Sequence, residues 1–219
     1  MAGYADTLTR VEGYFDHTAT AVWERLTSDA PVSRVRATVR EGRDRMRALM
    51  LSRLPADLAG VRVLDAGCGT GAMTAELAAR GADVVAVDIA PRLVEIAAAR
   101  LPAGLPGRVS FRAGDMLDEG LGAFDAVMAM DSLIYYARPD LEMALARLTA
   151  RCAGPVVFTV APRTPLLMAM WQAGRLFPRA DRSPVMVPQD HRRIAVPGLA
   201  HVGRVARGFY ISDCVEVRG

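Results

Sequence analysis

The sequence predicts an α/β fold in which a doubly wound, mostly parallel sheet carries helices on both faces. Segments of strand character and helix character alternate from residue 61 to residue 160. The first strand runs into a glycine-rich turn, Gly67-Cys68-Gly69-Thr70-Gly71, that opens a helix. Two further strand-like segments lie near the end of the chain. A strand, a crossover helix and a parallel strand form the βαβ unit of such sheets, so this alternation predicts the fold.

The composition indicates a globular protein and excludes several classes. The 219 residues are 52% hydrophobic and 23% charged, which is enough for one α/β domain with additions. We find neither an apolar run of membrane-spanning length nor a signal peptide, and the three cysteines fit neither a disulfide framework nor a metal site. We therefore expect a cytoplasmic protein. The net charge is only +3 and every basic residue is arginine, so we expect no nucleic-acid partner.

Residues 1–60 are predicted to form an N-terminal helical arm ahead of a core at residues 61–219. An apolar stripe at helical spacing predicts a first helix: Phe15, Ala19, Val22, Trp23 and Leu26. A second helix is predicted over residues 32–54. One face of it is apolar, and the opposite face carries Arg36, Arg40, Arg43 and Arg47. This arginine face is either solvated or a surface for an acidic substrate or partner.

The core alternates in the order that a parallel sheet requires. Strands are predicted over residues 61–65, 83–88, 109–113, 126–130 and 156–160, and helices over 72–80, 91–101 and 140–152. Residues 165–197 interrupt this order as an insertion that contains an apolar helix at 166–177. That helix is either buried or a wall for a large apolar ligand or a membrane surface. Strands at 202–207 and 210–217 then form a hairpin, which gives seven strands with the last one antiparallel.

The glycine turn can hold a nucleotide-like ligand, and its details distinguish two candidates. A dinucleotide requires Gly-x-Gly-x-x-Gly, whereas this turn reads Gly-x-Gly-x-Gly. Asp65 precedes the turn, and its carboxylate would repel a pyrophosphate. It suits a ligand with an amino group and a sulfonium charge, which describes S-adenosylmethionine (SAM). Cys68 and Thr70 serve as small fillers within the turn.

Two more acids follow the next two strands. Asp88 comes 23 residues after Asp65, close to the spacing of a carboxylate that accepts from both ribose hydroxyls. Asp115 can accept from an adenine amine while Met116 packs on the ring. The alternative to a cofactor site is that the glycine turn only connects a strand to a helix and binds no ligand. The predicted cofactor site comprises Asp65, Gly67, Cys68, Gly69, Gly71, Asp88, Ile89, Asp115, Met116 and Met130.

With these acids and the glycine turn, residues 61–160 resemble the class I SAM-dependent methyltransferases, which have a Rossmann-like sheet. The flanking segments resemble a narrower family, the magnesium-protoporphyrin IX O-methyltransferases of bacteriochlorophyll synthesis. Its motifs lie at residues 13–19, 28–36, 131–136, 158–165 and 207–212. This second resemblance implies that the chain esterifies one propionate of magnesium protoporphyrin IX. The magnesium then belongs to the substrate, and we expect no metal bound by the protein.

The resemblance also suggests residues for catalysis and substrate binding. Tyr14 is the candidate for closing over SAM and orienting the propionate. Tyr135 occupies the position at which oxygenic relatives carry a histidine, so it can donate a hydrogen bond or stack on a ring but supplies no imidazole. The candidate substrate-binding residues are Tyr14, His17, Trp23, Tyr135 and Arg163. An ionised propionate needs no strong general base, which fits the lack of a His–Asp pair in the sequence motifs.

Other functions remain open at the level of sequence. A methyltransferase of a quinol or phenol would need a base near the hydroxyl group, and an RNA methyltransferase usually carries a proline-aromatic motif after strand four. A SAM-binding regulator without catalysis would keep the same glycine turn. The family resemblance further suggests contact with the porphyrin-carrying subunit of magnesium chelatase and a peripheral association with the photosynthetic membrane.

Overall fold

The computed structural model describes residues 3–15, 34–164, 167, 168, 172 and 186–218, with the side chains of 34–36 left aside. Within these residues the helices are α1 (Tyr4–Gly13), α2 (Arg34–Leu51), α3 (Ala72–Ala79), α4 (Pro91–Arg100) and α5 (Arg138–Thr149). The strands are β1 (Arg62–Ala66), β2 (Asp83–Asp88), β3 (Arg108–Ala113), β4 (Ala126–Ala129), β5 (Val156–Val160), β6 (Leu199–Arg207) and β7 (Tyr210–Val217).

The strands form one seven-stranded sheet in the order β3-β2-β1-β4-β5-β7-β6. Strands β1 to β5 are parallel to one another, and β7 runs antiparallel to both β5 and β6. The predicted fold class is therefore confirmed, including the antiparallel last strand. The predicted strands, and the predicted helices at 32–54, 72–80, 91–101 and 140–152, agree with the structure to within a few residues at their boundaries. The predicted first helix, from Phe15 to Leu26, lies almost wholly outside the described residues. Helix α1 was not predicted, because its short sequence buries only Thr7 and Val11 and so has a weak apolar stripe.

The sheet is covered on both faces, as parallel sheets require. Along β1, Val63 packs with α2 and α3 on one face while Leu64 packs with α5 on the other. The same alternation continues on the neighbouring central strands. This two-sided burial explains why these strands read as nearly continuous apolar runs. None of the described helices combines the length and the apolar character needed to cross a bilayer.

Helix α2 lies against the β6–β7 hairpin and is fixed there by close contacts. A Cβ atom on Gly42 would lie 2.8 Å from the ring of Tyr210, so only glycine lets the helix approach this closely. Arg207 Nε donates to Glu41 Oε2 at 2.7 Å, and Arg53 Nε donates to Glu216 Oε2 at 2.7 Å. The hairpin therefore sets the position of α2, and with it the direction of the arginine face.

Candidate functional site

A cavity of about 320 Å³ opens at the carboxyl edge of the sheet, where β1, β2 and β4 end. In parallel α/β sheets ligands bind at this edge. We call it the central cavity. Its wall combines the glycine turn, the start of α3, the arginine face of α2, part of α1 and the residues after β4. Among the predicted cofactor residues it contains Asp65, Gly67, Cys68, Gly69, Asp88, Ile89, Met116 and Met130.

The three glycines of the glycine turn, Gly67, Gly69 and Gly71, all have positive φ. Gly67 has φ +83°, and a Cβ atom there would lie 2.3 Å from the Cβ of Ser132. Ser132 in turn donates from Oγ to the carbonyl of Ala66 at 2.7 Å. Gly71 caps α3 at φ +85°, and its missing side chain leaves room for Ala97 on α4. The turn is thus held tightly against β4 and α4, with the amino end of α3 directed towards the cavity.

Asp65 is a buried carboxyl group at the end of β1. It is 1% exposed and accepts a hydrogen bond from Thr74 Oγ1 at 2.6 Å. Burial raises the pKa of Asp65 to about 7, and the bond from Thr74 opposes this rise. Near neutral pH the group is therefore balanced between its two protonation states, and a cationic ligand would shift it towards the carboxylate.

Asp88 lies at the end of β2 and holds the glycine turn. Its Oδ2 accepts from the backbone N–H of Gly69 at 2.8 Å, and its Oδ1 accepts from Ala90 N–H at 3.0 Å. Burial raises the pKa of Asp88, and the backbone donors oppose that effect. The carboxylate of Asp88 therefore lines the cavity and also sets the position of the turn. Its predicted contact with the ribose hydroxyls stays a prediction.

Asp115 lies beside the central cavity, between the wall residues Gly114 and Met116, and is not part of the wall itself. Its Oδ1 accepts from Tyr4 Oη at 2.6 Å and from Leu117 N–H at 2.8 Å. The ring of Tyr4 stacks on Tyr136 with centroids 4.9 Å apart, and Tyr136 does line the cavity. In this structure Asp115 therefore anchors α1 at the mouth of the cavity.

Asp131, directly after β4, is a site residue that the sequence patterns did not single out. Its φ is +55°, and it is the single non-glycine residue with positive φ in the described part of the chain. Its carboxylate accepts from Arg43 Nη1 at 2.7 Å, from Tyr210 Oη at 3.1 Å and from Thr159 Oγ1 at 3.2 Å. Such a backbone conformation costs free energy and is held only by surrounding contacts. These contacts join α2, β5 and β7 at the cavity.

The arginine face of α2 is turned into the central cavity. Arg40, Arg43 and Arg47 belong to its wall, which supports the interpretation of this face as a surface for an acidic group. Arg47 Nη2 also donates to Asp44 Oδ1 at 2.8 Å. The cavity therefore has carboxylates beside the glycine turn and guanidinium groups along α2. Nothing is described of the side chain of Arg36.

The two predicted catalytic tyrosines differ in position. Tyr135 is buried in the cavity wall, and burial raises the pKa of its phenol well above the usual range. Tyr14 is outside the wall; its ring makes an edge contact with Phe15, whose ring in turn lies 6.0 Å from that of Tyr135. Phe15 rather than Tyr14 lines the cavity here, because consecutive helical residues point in different directions.

Of the remaining predicted substrate residues, Arg163 is the one that the structure describes. Arg163 is exposed and lines a second cavity of about 430 Å³ together with Arg138 and Arg193. The structure thus does not bring Arg163 into the central cavity. His17 and Trp23 fall outside the described residues, as does most of the predicted helix at 166–177.

The chain is similar to known proteins along its whole length. Residues 129–219 match the family model "Magnesium-protoporphyrin IX methyltransferase C-terminus", and residues 63–153 match "Methyltransferase domain". Magnesium-protoporphyrin O-methyltransferase of Rhodobacter capsulatus is 61% identical over 98% of both chains, and that of Synechocystis is 29% identical over 96% of both. The crystal structure of magnesium protoporphyrin IX methyltransferase from Synechocystis with bound SAH has a TM-score of 0.79 at 25% identity, and the match covers 96% of this chain and 98% of that one.

Proposed function

This chain belongs to the magnesium-protoporphyrin O-methyltransferase family, and we propose that it transfers a methyl group from SAM to a propionate carboxylate of magnesium protoporphyrin IX. The product is the monomethyl ester, an intermediate of bacteriochlorophyll synthesis. One observation supports this function above the others. A single cavity presents buried carboxyl groups beside a glycine turn and guanidinium groups on the facing helix, so it suits a cationic donor and an anionic acceptor.

The donor side fits SAM by its charge and by its backbone geometry. Asp65 would balance the amino group, Asp88 would accept from the ribose hydroxyls, and the glycine turn leaves room for close approach. Met116, Met130 and Ile89 provide an apolar surface for the adenine ring. When bound there, SAM supplies an electrophilic methyl group.

The acceptor side fits a carboxylate. Arg40, Arg43 and Arg47 line the cavity, and a planar guanidinium binds carboxylates with two parallel hydrogen bonds. We propose that one propionate enters past Phe15 while the macrocycle lies over the mouth, because about 320 Å³ is at the small end for a ligand pocket. The division into a helical arm at 1–60 and a core at 61–219 is part of this proposal, with the arm covering the macrocycle.

The chemistry then depends mainly on position. A propionate is ionised at neutral pH, so its oxygen needs no base to attack a methyl group. Holding the two groups in line converts a bimolecular step into an effectively unimolecular one. Because burial keeps the phenol of Tyr135 protonated, we propose that it donates a hydrogen bond to the acceptor and does not act as a base. Tyr14 would orient the propionate after closure of the arm.

Contact with the porphyrin-carrying chelatase subunit and a peripheral membrane association are finer parts of the proposal. Among the described residues the large exposed hydrophobic side chains are Phe209, at 65%, and Met186, at 47%. Phe209 lies at the turn between β6 and β7, beside the exposed ion pair of Arg207 with Glu41. We propose this turn as the contact region, and a Phe209→Ser variant that still sediments with vesicles as well as the wild type would contradict it.

The test compares acceptors at fixed SAM. We expect S-adenosylhomocysteine to form with magnesium protoporphyrin IX, and not with its dimethyl ester, a quinol or tRNA. Turnover on the dimethyl ester would contradict carboxyl methylation, as would a lack of turnover on the porphyrin by protein that binds SAM.

Variants on one helix test the arginine face. Arg43→Met should raise the KM for the porphyrin and leave SAM binding unchanged. Arg45→Met is the matched control, because Arg45 is exposed on α2 and pairs with Glu41. Equal effects of both changes would exclude a specific role for Arg43.

A further inference from the structure

Two of the chain's three histidines face one buried carboxylate, away from the central cavity. His191 lies in the short 3-10 helix His191–Arg193, His201 on β6 and Asp213 on β7. Asp213 is 0% exposed. The two imidazole rings stack with centroids 4.4 Å apart and planes inclined by 9°. One nitrogen of each ring lies within 3.6 Å of an oxygen of this carboxylate.

The distances in this cluster suit a shared cation better than direct hydrogen bonds. His191 Nδ1 lies 3.4 Å from Asp213 Oδ2, and His201 Nε2 lies 3.6 Å from Asp213 Oδ1. Nitrogen–oxygen hydrogen bonds usually span about 2.7–3.2 Å. Two ligand atoms on a tetrahedral zinc ion, with bonds of about 2.1 Å, are about 3.4 Å apart. One ligand atom from each residue lies within 4.8 Å of the others. Because an imidazole nitrogen binds a metal in its ring plane, the two stacked rings would turn towards a common ion on binding.

We propose that His191, His201 and Asp213 bind a divalent transition-metal ion, with Zn²⁺ as the best fit. Two imidazoles and one carboxylate are typical ligands of zinc, and a water molecule would complete a tetrahedron. Mg²⁺ prefers an oxygen-rich octahedral shell, so this site should discriminate against it. It is therefore separate from the magnesium of the porphyrin substrate.

Arg204 is the internal competitor for this site. Its Nε and Nη2 atoms donate to the two oxygens of Asp213 at 2.6 and 2.9 Å. The side chain of Arg204 is 44% exposed, so it can turn towards solvent when a cation takes its place. The cluster thus alternates between an ion pair with Arg204 and a metal complex, and removal of Arg204 should favour the metal.

The site would fasten a segment that borders the central cavity. Shortly before His191, Val187 N–H donates to the carbonyl of Ile134 at 2.8 Å, and Gln189 Nε2 donates to the carbonyl of Tyr136 at 3.1 Å. Tyr136 lines the cavity. Metal binding at His191 should therefore stabilise the packing of this segment against the residues that follow β4.

Calorimetric titration of the metal-free, full-length protein with ZnCl₂ tests the proposal. We expect one Zn²⁺ per chain, a rise in Tm, and no binding of Mg²⁺ at this site. His191→Gln and His201→Gln should each weaken zinc binding by at least about tenfold. The control is Arg192→Gln, an exposed position on the same short helix, which should leave zinc binding unchanged. Arg204→Gln should tighten zinc binding.

Two outcomes would overturn the proposal. In the first, zinc binds neither the wild type nor the Arg204→Gln variant. In the second, zinc binds with unchanged affinity after replacement of both His191 and His201. His201 is partly exposed, so its variant should fold even where a change of the buried Asp213 does not.

Discussion

Replacing Asp65 with asparagine should weaken the pH dependence of SAM binding. Burial raises the pKa of Asp65 to about 7, so the carboxyl group changes its charge within the range of ordinary assays. Only the ionised fraction attracts the cationic amino group of the ligand. Asparagine keeps the shape of the side chain and an acceptor for Thr74 Oγ1, which donates to Asp65 at 2.6 Å. The variant therefore removes the charge and little else.

The magnitude follows from the ionised fraction. With a pKa of about 7, the carboxylate accounts for about half of the molecules at pH 7 and about one tenth at pH 6. Each further unit of acidification should weaken SAM binding by about tenfold, or about 1.4 kcal/mol. Above pH 7 the curve should flatten. Asp88 also has a pKa raised by burial, so its titration acts in the same direction.

The same group affects the stability of the unliganded protein with a defined sign. Its pKa is higher in the folded chain than in the unfolded chain, so folding favours the protonated form. This contribution is complete below about pH 4 and is lost as the pH rises through about 7. Urea unfolding of the wild type and of Asp65→Asn over this range should show a larger loss of stability in the wild type, because Asp88 still titrates in the variant.

Calorimetry of SAM binding between pH 5.5 and 7.5, in two buffers of different ionisation enthalpy, measures both affinity and proton release. The wild type should release protons on binding near pH 7, and Asp65→Asn should release fewer, with Asp88→Asn as the comparison. A wild-type affinity that does not change with pH, or the same slope in Asp65→Asn, would refute the assignment.

Three further predictions concern the glycines and the residue after β4. Gly67→Ala should lower Tm more than Gly69→Ala, because a Cβ on Gly67 meets Ser132 at 2.3 Å while that on Gly69 meets no protein atom within 4 Å; equal losses of Tm would contradict the packing argument. Gly42→Ala should destabilise the fold by about 1–3 kcal/mol in urea unfolding, although alanine usually stabilises a helix, because it would press on Tyr210. Asp131→Asn should raise the KM for the porphyrin with unchanged SAM affinity in steady-state assays, because it releases Arg43; an unchanged KM would count against that role.

Much of the sheet and of the donor side could be predicted from the sequence because their signals are local. The strand and helix periods give the order of elements, and the acids Asp65 and Asp88 each lie at the carboxyl end of a strand. Parallel strands bring their carboxyl ends to one edge of the sheet, so residues at the ends of different strands can be predicted to lie close together there.

The acceptor side could not be predicted in this way, because it depends on contacts between distant segments. Arg43 and Asp131 are 88 positions apart and meet only because α2 packs on the β6–β7 hairpin. The need for glycine at position 42 cannot be inferred from the sequence, because it arises from the contact with Tyr210 in the folded chain. Similarly, Asp115 is engaged by Tyr4, a residue of a helix whose apolar pattern was too weak to predict.

The most direct test of the proposed function locates the transferred methyl group. The protein is incubated with methyl-labelled SAM and magnesium protoporphyrin IX, and the recovered porphyrin is treated with mild alkali. We predict a monomethylated porphyrin from which alkali releases the label as methanol, as a carboxyl ester requires. Label that stays on the porphyrin after alkali, or an unlabelled porphyrin recovered from protein that binds SAM, would contradict the proposal.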